Sequence, residues 1–291
     1  MSGFAFIIVT ALFFGSAPTF ARLAFDGGTG ALTLQLARFA LAGAGLSLLL
    51  AVTGRPMVIR RHHLPLLAAL VVLSGGASYG YMTSVRSIPV PVASLVFFTF
   101  PLMVGPLAHL LGDERLTLRR VLALGVGFTG IALLLEGGMA HADPIGLAMA
   151  FGGGTCVAVS FQVSRRLTVD IPPLLLTATV ASACALFSGT LIALHGGLQL
   201  PTDARGWTGV LGNAVAYTVG LTCLFAAIQR LGTVRAAVAV NLEPVVSVAL
   251  AAAVLGEALT GIQLVGAFIV LAGIVLAQGR RPRPTSSREP R

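Results

Sequence analysis

The sequence contains no lysine, three cysteines and one tryptophan, and only 10% of its 291 residues are charged. Each scarcity excludes something. With 56% hydrophobic residues and a mean hydropathy of +0.93, the chain lacks the polar surface of a soluble globular domain, and no tract is long or polar enough to form one separately. Cys156, Cys184 and Cys223 each fall inside an apolar run without CxxC spacing, so they read as small buried apolar residues rather than metal ligands or a disulfide. There is no HExxH and no GxSxG, and the glycine triplet at 152–154 lacks the Gly-Lys-Ser/Thr ending of a phosphate loop. The chain therefore reads as no enzyme, with no cofactor and no metal. Its net charge of +9 comes from arginines in short loops between apolar runs, which set membrane topology rather than bind nucleic acid.

What is present is length in apolar runs. Ten occur, at 4–24, 31–52, 64–85, 90–111, 118–135, 145–167, 172–194, 207–228, 234–255 and 262–278. A run of about 20 residues at about 1.5 Å each crosses a hydrocarbon core roughly 30 Å thick. The runs are continuous rather than alternating, which excludes a β-barrel. The expected fold class is an all-α membrane protein of ten transmembrane helices. The first run has no basic segment before it, its first arginine being Arg22, and is too long for a signal peptide core, so it is read as the first span. With the N-terminus in the cytoplasm, fifteen arginines fall in inside segments and only Arg22, Arg86 and Arg205 outside, so both termini are expected inside. Residues 280–291, basic and rich in proline and serine, read as a disordered cytoplasmic tail in contact with anionic lipid.

The two halves of the chain resemble one another at a constant offset of 143 residues. Gly3 matches Gly146, Arg22 matches Arg165, Pro101 matches Pro244, Glu114 matches Glu257, and Gly130 matches Gly273. Five spans per half place the second half in the membrane upside down relative to the first, and the loop arginines agree with that inversion. Residues 1–138 and 143–279 are thus expected to be two inverted five-helix repeats, an arrangement that secondary transporters use to rock around a midplane site.

Candidate functional residues are the polar groups at membrane depth. Pro101 and Pro244 lack a backbone N–H, which frees the carbonyls of Phe97 and Val240 and predicts two kinked, hinge-like helices at matching depths. Glu243 lies deep in the ninth run, where an ionised carboxylate costs roughly 2.5–3.5 kcal/mol. It must pair with a cation, with Arg38 of the second run as candidate, or carry a proton, or meet a substrate ammonium. Gln162, Asn213, Tyr217 and Asn241 are further lining candidates; Asn213 and Tyr217, four residues apart, share a helix face. Tyr79 and Tyr81 cannot both face inward, and Tyr79 is assigned inward. Phe98, beside Pro101, adds an aromatic wall. Serines and threonines in such helices more often bond to backbone than to ligand.

Residues 242–245 (Leu-Glu-Pro-Val) and 255–260 (Leu-Gly-Glu-Ala-Leu-Thr) resemble the closing motif of the EamA-type drug/metabolite transporter superfamily. The first half carries a similar Phe-Pro-Leu at 100–102 and Leu-Gly-Asp-Glu-Arg-Leu-Thr at 111–117, with one extra acidic residue. Gly15-Ser16 and Arg38-Phe39 also look like this family. The resemblance covers the whole chain. It implies a multi-pass exporter of the bacterial inner membrane, with a central cavity built from the first four helices of each half, moving amino acids or related small metabolites, with possible proton coupling. The absence of lysine argues against multiply charged anionic substrates. A neutral, zwitterionic amino acid, as in the aromatic amino-acid exporters, fits Arg38 and Glu243. A carrier of lipophilic cationic drugs, or a membrane protein that transports nothing, are the alternatives.

Overall fold

A computed structural model describes residues 3–55, 57–88, 90–113, 117–134, 143–255 and 260–277. Among these residues there is no strand. Hydrocarbon offers backbone groups no partners, so a spanning segment must bond to itself, and the helix does so locally. The helices are α1 (Gly3–Asp26), α2 (Ala31–Val52), α3 (Leu64–Ser87), α4 (Val90–Phe97), α5 (Phe100–Leu110), α6 (Leu118–Leu134), α7 (Pro144–Leu167), α8 (Pro173–His195), α9 (Ala204–Leu231), α10 (Thr233–Val240), α11 (Leu242–Leu255) and α12 (Gly261–Ala277), with a 3-10 turn at Arg61–His63 ahead of α3. Eight stretches are long and apolar enough to cross a membrane, with α4–α5 and α10–α11 each counting as one stretch. The helices α6 and α12 are shorter, 17 residues each. The chain is a multi-pass membrane protein.

Local chemistry sets several boundaries. Asp143 caps α7, its carboxylate accepting from the amides of Ile145 and Gly146, and Asp203 caps α9 through the Gly206 amide at 2.6 Å. Between α9 and α10 the chain turns on Gly232 alone, at φ 86°, a left-handed conformation that a Cβ would penalise.

The fourth and ninth runs depart from expectation. Each was expected to be one kinked helix; each is two. The helix α4 stops at Phe97, Phe98 and Thr99 form a turn, and α5 restarts with Pro101 in its first turn. The helix α10 stops at Val240, Asn241 forms the turn, and α11 restarts with Pro244 in its first turn. Proline is well suited to a first turn, where its missing N–H is not needed. Restarting the helix therefore costs less than kinking it. The carbonyl of Phe97 points at Gly154 of α7, where a Cβ would lie 2.6 Å from its oxygen.

Helices pack in pairs: α1 along α9, α3 along α7, α2 along α8 and α6 along α12. Small residues let the backbones approach. Several of these contacts recur when both partners are moved by 143 residues. Gly3 abuts Leu231, and Gly146 abuts Ile88. The Thr10 hydroxyl donates to the Gly220 carbonyl at 3.3 Å, while Gly153 packs on the Ala77 carbonyl. Gly130 sits on the backbone of Val270, and Gly273 on that of Gly127. Ahead of α2, the Gly30 amide donates to the Gln199 carbonyl at 3.2 Å and the Thr202 amide to the Gly27 carbonyl at 3.0 Å, and the Thr33 and Thr202 hydroxyls add bonds between the same two segments.

The close approach of α1 and α9 gives a direct test. A Cβ on Gly209 would run into the backbone of Ala24 and lie 2.7 Å from the Phe20 carbonyl, whereas one on Gly45 would meet nothing within 4 Å. Gly209→Ala is expected to destabilise by about 1–3 kcal/mol through overpacking. Gly45→Ala should stabilise by roughly 0.5–1 kcal/mol, as a helical glycine replaced without a clash. Thermal unfolding of both variants in one detergent measures the contrast; equal shifts would remove the tight α1–α9 contact as its cause.

Candidate functional site

Arg38 lies in the middle of α2, where the helix has no acidic residue to offer it. Its guanidinium carbon sits 4.9 Å from the ring centre of Phe39 and 5.0 Å from that of Tyr217 on α9. One Nη2–H donates to the Ser78 hydroxyl of α3 at 3.3 Å, and Nε is buried without a hydrogen-bond partner. Tyr217 is itself held edge-on by Phe39, with ring centres 5.1 Å apart, and flanked by Phe14 of α1 at 6.3 Å. Four helices thus converge on one cation. Cation–π contacts of this kind contribute about 2 kcal/mol when desolvated, which helps a charged residue remain at depth.

Glu243 lies in the first turn of α11, half-buried, and does not pair with Arg38. Salt bridges join Arg22 to Asp26 and Arg166 to Asp113, and none is seen to Glu243 among the described residues. The structural pair entertained for Arg38 and Glu243 is therefore not formed. The carboxylate stands instead where the helix restarts. At the N-terminal end of α11 the backbone N–H groups have no helical acceptor, and the helix dipole favours negative charge. The break at Asn241 converts a mid-span glutamate into an N-terminal one. Tyr81 lies within Coulombic reach of Glu243 and shares a hydrogen bond with Ser94 of α4 at 2.8 Å.

Tyr81 also corrects the tyrosine assignment. Tyr79 is 68% exposed, while Tyr81 is the one packed inward, 5.1 Å from the Phe97 ring centre. The reason is the helical face. Gly76 and Gly80 lie against α7, and Ser78 and Tyr81 face α2 and α4. At 3.6 residues per turn Tyr79 lies about 160° around the helix from Tyr81, so the two rings cannot share a face.

The remaining candidates split by partner. Gln162 donates from Nε2 to the Val104 carbonyl of α5 at 3.0 Å, and Asn213 donates from Nδ2 to the Ala17 carbonyl of α1 at 2.9 Å. Asn213 and Tyr217 both meet α1, on the face that their spacing predicts. Asn241 occupies the α10–α11 turn at 1% exposure, its side-chain nitrogen filling the space a Cβ on Gly127 would need. Phe98 lies in the matching turn, within 6.0 Å of the Phe97 and Phe100 ring centres; Pro101 and Pro244 are buried beside these turns. The side-chain oxygens of Gln162, Asn213 and Asn241 are buried without partners, as is Arg38 Nε. Four of the seven such atoms among the described residues therefore belong to residues singled out by sequence. Buried polar atoms normally have partners, and unsatisfied ones cluster where water or a ligand completes them.

Sequence reasoning missed Ser78, Phe39, Phe14, Tyr81 and Ser94. Most hydroxyls here do bond to their own helix, as Thr10 does to Phe6, Ser16 to Phe13 and Thr99 to Val96. Ser78, Ser94 and Ser188 instead meet side chains on other helices, those of Arg38, Tyr81 and Gln35, and Thr10, Thr33, Thr155 and Thr202 also reach other elements. Nothing in their spacing distinguishes them.

The stacking on Arg38 is testable by a double-mutant cycle. Arg38→Lys keeps the charge and loses the planar group that rests on two rings. Combined with Tyr217→Ala, in reversible unfolding, the pair is expected to show a coupling of about 0.5–2 kcal/mol. Strict additivity would mean that the ring and the guanidinium do not interact.

The EamA-like transporter family profile matches residues 1–136 and again 144–278. The chain is 28% identical over 237 residues to a threonine/homoserine exporter of Salmonella typhimurium, covering 77% of this chain and 75% of that protein. It is 29% identical over 223 residues to the threonine/homoserine exporter of Escherichia coli K12, covering 73% and 70%. A probable terminal-alkyne amino-acid exporter of Streptantibioticus cattleyicolor is 27% identical over 288 residues, covering 94% and 92%. One crystal structure superposes with a TM-score of 0.82 over 95% of this chain and 97% of the other at 18% identity, which shows a shared fold.

Proposed function

The chain belongs to the EamA-like transporter family, and from that premise we propose that it exports neutral amino acids across a bacterial inner membrane by alternating access. The observation that carries this reading is the pair of opposite charges that do not neutralise each other. Arg38 is held by rings and a hydroxyl, and Glu243 by a helix start. A zwitterion brings a carboxylate for the first and an ammonium for the second. A lipophilic cation would satisfy Glu243 and be repelled by Arg38, which places cationic drugs second. The relatives named for threonine, homoserine and an alkyne-bearing amino acid favour small neutral side chains over the aromatic ones first expected.

The transport mechanism follows from the same frame. In this reading α6 and α12 also span, giving ten spans in two inverted repeats with both termini in the cytoplasm. The recurrence of Gly3–Leu231 as Gly146–Ile88, and of Gly130–Val270 as Gly273–Gly127, supports a twofold relation between the halves. The turns at Phe98–Thr99 and at Asn241 are where the rocking units hinge, since helix ends absorb backbone rotation at less cost than helix interiors. Glu243 carries the coupling proton.

Purified protein in liposomes, offered labelled threonine, homoserine, phenylalanine and a cationic dye with and without a pH gradient, tests this. Amino-acid flux enhanced by the gradient is expected, reduced at least about tenfold in Arg38→Ala, with Glu243→Gln losing the gradient dependence. Dye efflux without amino-acid flux would sink the amino-acid reading. A rate and accumulation indifferent to the gradient would sink proton coupling.

A further inference from the structure

Outside the polar site, one titratable cluster stands apart. The 3-10 turn before α3 carries His62 and His63, and the loop between α7 and α8 carries Asp170. One nitrogen from each histidine and one carboxylate oxygen lie within 4.8 Å of one another. The side chain of His63 is only 7% exposed, yet its Nε2 has no hydrogen-bond partner; it faces Asp170 Oδ2 at 3.4 Å. Two ligand atoms bound at about 2.0–2.2 Å around a tetrahedral zinc ion are roughly 3.4 Å apart. The same imidazole lines a cavity of about 140 Å³ with Asp170, Val58, Arg60 and Leu175, which is room for a water molecule.

The other face of the molecule shows that this pairing is not a requirement of the fold. Positions 27 and 206 stand 143 residues from 170 and 63 respectively, and both are glycine. Gly27 and Gly206 press backbone against backbone, with no space for a side chain, beside the main-chain bond from Thr202 to Gly27. That loop junction is closed by glycine backbones, main-chain bonds and the Thr33 and Thr202 hydroxyls rather than by an imidazole. The corresponding junction opposite is closed by an imidazole and a carboxylate, with a second imidazole at hand.

We propose that His62, His63 and Asp170 bind a divalent transition-metal ion, of which Zn²⁺ is the type, at the junction of the α2–α3 and α7–α8 loops. Two neutral imidazoles and one carboxylate match the preference of zinc, cobalt and nickel for nitrogen and oxygen donors. Three protein ligands leave a position for water, so the ion exchanges with solvent rather than being locked into the fold. The exposed His62 completes the set by a side-chain rotation. Arg60 on the same cavity wall opposes a cation, and the Asp170 carboxylate offsets it. A bound ion would join a loop of the first half to a loop of the second. The binding claim is independent of the transport reading.

The test uses the full chain in detergent, freed of any purification tag. Equilibrium dialysis against Zn²⁺ and titration with Co²⁺ are read for stoichiometry and for the visible absorption of a tetrahedral cobalt site. One ion per chain is expected, weakened at least about tenfold in His63→Gln, in Asp170→Asn and in the exposed His62→Ala. His109→Ala, on an exposed histidine elsewhere, should leave binding unchanged. Because His62 is exposed, its replacement leaves the fold intact and decides the matter even where His63→Gln misfolds. No binding above background, or binding that His62→Ala and Asp170→Asn leave unchanged, would overturn the proposal.

Discussion

The obligation of every backbone N–H and C=O to find a partner within the protein governs this molecule. In hydrocarbon a helix meets that obligation locally, so the described chain is helical almost throughout and its departures from helix carry information. Two departures lie within apolar runs, at Phe98–Thr99 and at Asn241. Asn241 is buried, Phe98 and Thr99 are half-buried, and both turns are followed by a proline in the first turn of the next helix. Each restart produces a helix N-terminus inside the bundle. At α11 Glu243 falls in that first turn, the end of a helix whose dipole favours negative charge.

Close packing makes such turns affordable. Gly127 yields its side-chain space to the Asn241 amide, and Gly154 yields its own to the Phe97 carbonyl. In a membrane the bundle gains nothing from hiding apolar surface from water, so contact area and backbone approach hold helices together. Glycine therefore works twice here. It brings α6 onto α12 and α3 onto α7, and it leaves room where a turn must be accommodated.

What the sequence made legible follows the same division. Period, run length and arginine placement are one-dimensional signals, and the helical membrane class came from them directly. The 143-residue offset is also one-dimensional: Gly3–Leu231 and Gly146–Ile88 stand at that offset, but nothing in the sequence named Leu231 or Ile88 as a partner. Proline at 101 and 244 marked the irregular positions correctly but not their form, because a kink and a restart share one sequence signature. Which tyrosine faces inward was not legible. Tyr79 and Tyr81 differ only in the face they occupy, and that face is set by where Gly76 and Gly80 dock. The aromatic and hydroxyl surroundings of Arg38 were equally hidden, since Phe14, Ser78 and Tyr217 come from three helices remote in sequence.

The polar groups also break the internal correspondence that the packing obeys. At the 143-residue offset Arg38 corresponds to Ala181 and Glu243 to Phe100. Ala181 and Phe100 are both buried in apolar surroundings. A frame of matching contacts thus carries unmatched charges. On the proposed alternating-access reading, matching contacts would let two arrangements of the halves be similar in energy, as a carrier needs if both are to be populated. Unmatched charges make the two arrangements differ in how they present Arg38 and Glu243, and only a ligand or proton with differential affinity for them can shift their balance. On that reading the contacts that repeat would set up the equilibrium, and the residues that do not repeat would be where a substrate acts on it.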